Sequence, residues 1–272
     1  MVENTIYNLD CLVGMADLND DSVDMVITSP PYDNLRTYKD KIDECWGEHI
    51  WKPIIKELHR ILKPGGVAVW VVADATIDGG ESGTSFRQAL FFQECGFKIY
   101  DTMIYQKKNP IPQNHKRYEQ CWEYMFVFSK GKPSVFNGIT VETVNGGKVM
   151  DWGGRKTSMD AKQCRRDVES NIRVTKGTKL HNNIFTYSIG GGNSGHPAVF
   201  PLKLAVDQVK TWSNPGDIIL DPFMGSGTTA MACLMTDRKY IGYEISKDYY
   251  ESSLKRLEKV EELEDETEIP LW

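Results

Sequence analysis

At residues 218–229 the sequence reads IILDPFMGSGTT. Its first three residues form a short apolar run, which is typical of a buried strand. Asp221 follows, then a loop that contains Gly225 and Gly227, and the segment from Thr228 onwards predicts a helix. In open α/β sheets, ligands bind at the carboxyl ends of strands, where such an acid and such a loop would lie.

Most of the chain continues this alternation of strands and helices. The segments 23–28 (VDMVIT) and 67–74 (VAVWVVAD) are near-continuous apolar runs, as expected of strands that are buried on both faces. Between them, residues 50–62 have apolar positions at helical spacing and are followed by the helix-stopping sequence KPGG. This order predicts an α/β fold with a doubly wound, mostly parallel, Rossmann-like sheet.

The glycine loop predicts a cofactor. Glu244 ends the next predicted strand, 23 positions after Asp221, where an acid suits the hydroxyls of a ribose. The loop lacks the lysine of a triphosphate-binding loop, and we expect helix-start N–H groups to be open to a ligand. Asp221 suits an ammonium group better than a pyrophosphate. Adenosine joined to an amino acid satisfies both ends, which indicates S-adenosylmethionine; the alternative is a glycine turn that only packs helix on strand.

A second motif, TSPPY at residues 28–32, ends the first long strand. Its two prolines fix φ and remove backbone donors. The strand tip then presents the Ser29 hydroxyl and backbone carbonyls as acceptors beside the aromatic ring of Tyr32. This set suits a planar ring that carries an amine, although an ordinary Pro-Pro loop with a packing tyrosine would have the same sequence.

The charge distribution indicates a nucleic-acid partner. The formal net charge is −6, yet residues 130–185 contain eleven Lys and Arg against five Asp and Glu. Residues 132–195 have weak periodicity and many Gly, Asn, Lys and Thr, so we predict an inserted region there. The predicted divisions are 1–131, 132–195 and 196–272.

Several protein classes are disfavoured by the sequence. There is no run of 18 apolar residues and no basic segment followed by an apolar one at the start, so we expect neither a membrane protein nor a secretory signal. The six cysteines form no C-x-x-C pair and the histidines have no zinc-ligand spacing. We therefore expect reduced thiols, no metal site and a cytoplasmic location.

The two motifs together resemble the amino-methyltransferases of DNA, which methylate the exocyclic nitrogen of cytosine or adenine. S-P-P-Y is most similar to the motif of enzymes that make N4-methylcytosine, whereas D-P-P-Y is more usual for N6-methyladenine. The catalytic motif precedes the insert and the cofactor loop, as in the circularly permuted β-class. The resemblance covers nearly the whole chain outside the insert. It implies a methyltransferase fold with a target-recognition insert, S-adenosyl-L-methionine as cofactor and double-stranded DNA as partner.

The resemblance also implies site residues. The catalytic set is Ser29, Pro30, Pro31 and Tyr32. The implied cofactor contacts are Asp10, Cys11, Phe200, Asp221, Pro222, Phe223, Gly225, Ser226, Gly227, Thr228 and Glu244. Candidate DNA contacts are Lys107, Lys108, Arg155, Arg165 and Arg166, each of which is equally compatible with a solvated surface.

The function expected from these residues is site-specific N4-cytosine methylation of DNA, in a restriction-modification setting and with base flipping. N6-adenine methylation and an inactive DNA-binding relative are the alternatives. Methylation of RNA, of a protein glutamine or of a small molecule is disfavoured by the motif order and the basic insert. The recognition sequence, a cognate restriction nuclease, and the choice between monomer and homodimer stay open.

Overall fold

The computed structural model describes residues 2–31, 46–110, 117–151, 172–188 and 201–264. The elements in these ranges are, in chain order, β1 (Thr5–Tyr7), α1 (Cys11–Ala16), β2 (Val23–Thr28), α2 (Glu48–Ile61), β3 (Leu62–Val72), β4 (Thr76–Ile77), β5 (Gly80–Glu81), α3 (Thr84–Glu94), β6 (Lys98–Lys107), β7 (Trp122–Ser129), β8 (Thr140–Glu142), β9 (Val149–Asp151), β10 (Ile172–Val174), β11 (Thr178–Leu180), β12 (Ile184–Tyr187), α4 (Leu202–Trp212), β13 (Ile218–Asp221), α5 (Thr228–Leu234), β14 (Lys239–Tyr243) and α6 (Lys247–Glu264).

Eight of the described strands form one sheet in the order β1-β14-β13-β2-β3-β7-β6-β12. β7 runs antiparallel to both of its neighbours, β3 and β6, whereas the other neighbouring pairs are parallel. Apolar side chains cover both faces of this sheet and form one core cluster on each face. The prediction of a doubly wound, mostly parallel α/β sheet is confirmed.

Helices α2 and α4 bury the apolar side chains that their sequence spacing places on one face. α2 turns Ile54, Ile55, Leu58 and Ile61 into the core, and α4 does the same with Leu204 and Val209. α2 ends at Ile61, just before KPGG, as the sequence predicts. The next strand begins earlier than predicted, at Leu62 and not at Val67, because Leu62 already pairs with Val23 of β2.

The chain divides into two compact units, one of Met1–Asn137 with Asn183–Trp272 and the other of Gly138–Asn182. The second unit contains the antiparallel pairs β8–β11 and β9–β10. It is shorter than the insert predicted at 132–195. Within that predicted insert, β12 pairs with β6 in the main sheet, because its residues Ile184–Tyr187 continue the parallel ladder beside Ile104–Lys107.

Candidate active site

The sheet order brings the predicted site residues to one edge. β1, β14, β13 and β2 are parallel neighbours, so their carboxyl ends lie side by side at a spacing of about 4.8 Å. Asp221 is the last residue of β13, and Asp10, Glu244 and Ser29 follow the ends of β1, β14 and β2 within a few residues. Residues that are far apart in sequence are therefore consecutive along this edge.

Asp221 lies at the centre of the edge and its carboxylate is turned inwards. Oδ1 accepts hydrogen bonds from the Thr28 hydroxyl (2.6 Å) and the Phe223 N–H (3.0 Å), and Oδ2 accepts one from the Thr229 hydroxyl (2.6 Å). Burial raises the pKa of Asp221, against the lowering effect of these bonds. The carboxylate thus joins the tip of β2, the loop and the start of α5. This differs from the expectation of a carboxylate that faces an ammonium group.

The loop Pro222–Gly227 uses many of its own backbone donors. The N–H of Phe223 bonds Asp221, that of Met224 bonds the Tyr243 carbonyl, and that of Gly227 bonds the Met224 carbonyl. Gly225 and Gly227 have φ of +53° and +81°, which glycine adopts without strain. These three loop donors are therefore used by the turn and by the strand contacts, whereas the expectation of open N–H groups concerned the start of the following helix, α5.

Glu244 supports the loop from the end of β14. Its Oε2 accepts from the Gly225 N–H and its Oε1 from the Ser246 N–H, both at 2.8 Å. Asn8 donates to the Glu244 carbonyl at 2.9 Å, which ties this turn to the end of β1. The Glu244 side chain is half-buried, so one side remains accessible from solvent.

Asp10 and Cys11 lie at the start of α1. The exposed Asp10 carboxylate caps this helix by accepting from the N–H groups of Leu12 (2.7 Å) and Val13 (3.4 Å). The Cys11 thiol is buried, and burial together with the charge of Asp10 raises its pKa to about 12. The Cys11 thiol is therefore not poised to react as a thiolate.

Aromatic rings stand next to the loop. The half-buried Phe223 ring makes edge contacts with Trp46, at 5.5 Å between centroids, and with Trp70, at 6.3 Å. Pro222, Ser226 and Thr228 are buried. Because Phe223 is only half-buried, part of its aromatic ring is open to solvent.

The structure describes only part of the predicted catalytic motif, residues 28–31. Ser29 and Pro31 are half-buried and Pro30 is buried, directly after β2. The remaining predicted site residues lie outside the described residues: Tyr32, Arg155, Arg165, Arg166 and Phe200. Of the two described DNA candidates, Lys108 is exposed. Lys107 instead forms an ion pair with the buried Glu123 (Nζ to Oε1, 2.7 Å), which compensates its charge.

Several residues that organise this edge are not among the predicted site residues. Thr28 and Thr229 bond Asp221, Asn8 bonds the Glu244 turn, and Arg256 bonds Ser226. The two threonines are the first residue of TSPPY and the last residue of IILDPFMGSGTT, so their positions carried a signal. Nothing in the sequence around Arg256 distinguishes it from the other charged residues of α6.

The described residues contain no group of three or more His, Cys, Asp or Glu side chains arranged to hold a metal ion. None of their helices is both long enough and apolar enough to cross a membrane.

Comparison with known proteins identifies the family. The pattern of a family described as DNA methylase matches residues 23–255. The orphan methyltransferase M.BamHII of Bacillus amyloliquefaciens is 43% identical over 250 residues, which cover 88% of this chain and 90% of that protein. A crystal structure of the M1.HpyAVI–SAM complex has a TM-score of 0.64 and 27% identity, covering 93% of this chain and 98% of that one.

The PvuII DNA methyltransferase, described as cytosine-N4-specific, has the same fold, with a TM-score of 0.68 at 20% identity over 97% of this chain and 92% of that one. The edge geometry, the family pattern and the M.BamHII similarity agree. The chain belongs to the DNA methylase family of N6 and N4 methyltransferases.

Proposed function

We propose that this DNA methyltransferase transfers a methyl group from S-adenosylmethionine to the exocyclic N4 of cytosine within a short DNA sequence. The observation that carries the proposal is the hydrogen bond from Thr28 to Asp221. It joins the S-P-P tip to the glycine loop, so a target amine and a methyl donor would meet at one edge. The S-P-P-Y motif favours cytosine, and N6 of adenine is the second candidate.

The residues at the edge fit the methyl donor. S-adenosylmethionine has an adenine ring, two ribose hydroxyls and an amino-acid end. The accessible face of Phe223 suits the adenine, with Asp10 and the Cys11 backbone beside its amine. A carboxylate accepts about four hydrogen bonds, so Glu244 can hold Gly225 and Ser246 and still receive ribose hydroxyls.

The amino-acid end is assigned to the loop and the segment before α4. Pro222, Gly225, Ser226, Gly227 and Thr228 shape the floor of this part of the site. Phe200 would lie along the methionine chain. Asp221, whose carboxylate is buried and bonded, acts in this proposal mainly by positioning the loop and the tip of β2.

When bound, S-adenosylmethionine supplies an electrophilic methyl group on a sulfonium. The target base must leave the duplex stack, because its amine is otherwise out of reach. Tyr32 stacks on the flipped base. The Ser29 hydroxyl and the Pro30 carbonyl would accept hydrogen bonds from the N–H groups of the amine, draw its lone pair out of conjugation and stabilise the positive charge that develops on nitrogen. The methylated nitrogen would then release one proton to solvent. Catalysis is then positioning and dipolar stabilisation.

The second compact unit, with the basic residues of the predicted insert, is proposed to contact the DNA. Lys and Arg side chains would bind phosphates and a few side chains would read base edges. Because the M.BamHII relative is described as an orphan, a companion nuclease need not accompany this enzyme.

Nucleoside mass spectrometry tests the function. The purified protein is incubated with unmethylated DNA and S-adenosylmethionine, and the DNA is digested to nucleosides. N4-methylcytosine is the expected product. N6-methyladenine would overturn the base assignment and leave fold, cofactor and geometry in place. No methylated nucleoside, on DNA that contains every short site, would overturn the proposed activity.

A further inference from the structure

Helix α6 contacts the glycine loop through Arg256. The Arg256 Nη1 group lies 2.7 Å from the Ser226 carbonyl oxygen, 2.7 Å from the Ser226 Oγ and 3.4 Å from the Thr228 Oγ1. These acceptors belong to two residues of the loop and the first turn of α5. One guanidinium therefore fixes both the backbone and the side chain of Ser226.

Helix α6 also leaves little room beside Gly227. A Cβ atom on Gly227 would lie 3.1 Å from the Cβ of Ser253, one helical turn before Arg256. The φ of Gly227 is +81°, so this position favours glycine on conformational grounds as well. Ser226, Thr228 and Ser253 are all buried. The loop and α6 are thus packed without space between them.

The guanidinium of Arg256 donates its hydrogen bonds to oxygen atoms of Ser226 and Thr228. Burial lowers the pKa of Arg256, so the environment disfavours its charge unless polar groups compensate. Within the described residues, no carboxylate forms an ion pair with Arg256, and the compensation comes from loop oxygens. Hydrogen bonds from a charged donor are among the strong ones in proteins.

We propose that Arg256 is a positioning residue for the methyl donor. It holds Ser226 and Thr228 so that the loop Asp221–Thr228 is already in its binding conformation before S-adenosylmethionine arrives. The proposal rests on the proposed function, in which this loop binds the donor. If Arg256 is removed, the competent loop becomes only one of several conformations, and the apparent Kd rises by the inverse of its population.

This role differs from plain structural support in its kinetic signature. A loop that is less often competent raises the Kd and the KM for S-adenosylmethionine, and saturating donor restores kcat. Support of the fold alone would lower the Tm and leave the Kd of the folded protein unchanged. The two roles are therefore separated by donor affinity measured on folded protein.

The test compares Arg256→Gln, Arg256→Lys and Ser226→Ala with Lys255→Gln, a matched control at the exposed neighbouring position of α6. Calorimetry gives the Kd for S-adenosylmethionine, steady-state kinetics gives KM and kcat, and thermal unfolding gives the Tm. We expect Arg256→Gln to raise Kd and KM about tenfold, which corresponds to a competent loop in about one molecule in ten, with kcat within about twofold. The Kd and KM of Arg256→Lys should lie between those of the wild type and Arg256→Gln, and the Kd and KM of the Lys255→Gln control should equal those of the wild type.

A double variant makes the assignment specific. In the Ser226→Ala background, Arg256→Gln should raise Kd by a smaller factor than in the wild type, because part of the interaction is already absent. Wild-type Kd in folded Arg256→Gln, or strictly multiplicative effects in the double variant, would overturn the positioning role. If Arg256→Gln does not fold, Arg256→Lys decides on the same criterion. Failure of the wild type to bind S-adenosylmethionine would instead overturn the proposed function.

Discussion

The Thr28 hydroxyl donates a 2.6 Å hydrogen bond to Oδ1 of Asp221, although the two residues are 193 positions apart. They are the last residues of β2 and β13, which are parallel neighbours in the sheet. Thr28 is followed by Ser29, and Asp221 is followed by the glycine loop. This bond therefore directly links the motif proposed to be catalytic with the loop proposed to bind the cofactor.

Thr28→Val should reduce both stability and activity. The substitution keeps the shape of the side chain and removes the donor, leaving Oδ1 of a buried carboxylate short of one hydrogen bond. We expect a loss of about 1–3 kcal/mol in the free energy of unfolding and a lower kcat/KM on DNA. Thr28→Ser retains the hydroxyl and is the control. Equal kcat/KM in the Val variant and the wild type would contradict a role for this link in catalysis.

Asp221→Asn should change the pH dependence of stability. Burial raises the pKa of Asp221 in the folded protein, whereas an unfolded Asp titrates near about 3.9. The folded state therefore holds the proton more tightly, and this stabilisation is present below about pH 4 and is lost as the pH rises through the folded pKa. The stability of the wild type relative to the variant should fall as the pH rises over that range.

Urea unfolding of the wild type and of Asp221→Asn, at a series of pH values from acid to neutral, measures this difference. Asp248→Asn, at an exposed position of α6, is the control and should show no such trend. A difference that stays constant or grows with pH would contradict the direction of the shift.

The elements of this site were predictable from sequence because each depends on local patterns. The strand IIL, the two glycines and the helix from Thr228 follow from periodicity and from the conformational freedom of glycine. Parallel strands that share a sheet end at the same edge, so the meeting of Asp221, Glu244 and Ser29 also followed once the fold class was predicted.

The directions of the side chains were not predictable in the same way. Whether Asp221 faces a ligand or Thr28 depends on the register of β13 against β2, which brings together residues from opposite ends of the chain. Lys107 was predicted as a phosphate contact, and its partner Glu123 lies on the neighbouring strand β7. The membership of β12 in the main sheet depends likewise on pairing with β6, which local composition does not reveal.

The Cys11 thiol should be inert. Its pKa of about 12 leaves roughly one thiolate in 10⁴ molecules at pH 8, and the side chain is buried. Treatment of the folded protein with iodoacetamide, followed by peptide mass spectrometry, should show Cys11 unmodified while the half-buried Cys121 is labelled. After unfolding, the two should react at similar rates. Labelling of Cys11 in the folded protein as fast as Cys121 would contradict its burial beside the proposed adenine site.

Glu244→Gln should weaken binding of S-adenosylmethionine. The carboxylate accepts from the N–H groups of Gly225 and Ser246, one on each oxygen. A glutamine amide supplies one oxygen and turns an NH2 group towards the other N–H, so one backbone donor is left unpaired. We expect the Kd to rise about tenfold, with calorimetry as the measurement. Glu251→Gln, at an exposed position of α6, is the control, and an unchanged Kd in Glu244→Gln would contradict the proposed contact.

Substitution of Lys107 and of the adjacent Lys108 should affect the stability of the protein differently. Lys107 is paired with Glu123, and their side chains are 24% and 9% exposed, whereas Lys108 is exposed. Lys107→Gln removes the positive charge beside a buried carboxylate, so we expect a loss of about 1–2 kcal/mol in the free energy of unfolding. Lys108→Gln should leave stability nearly unchanged.

DNA binding as a function of salt concentration separates the two lysines further. If Lys108 contacts a phosphate, Lys108→Gln should reduce the slope of log K against log salt by about 1. Lys107→Gln should leave this slope as in the wild type, since the charge of Lys107 is already compensated by Glu123. An equal reduction in both variants would mean that Lys107 exchanges Glu123 for a phosphate when DNA binds, and the ion pair would then belong to the DNA-free protein alone.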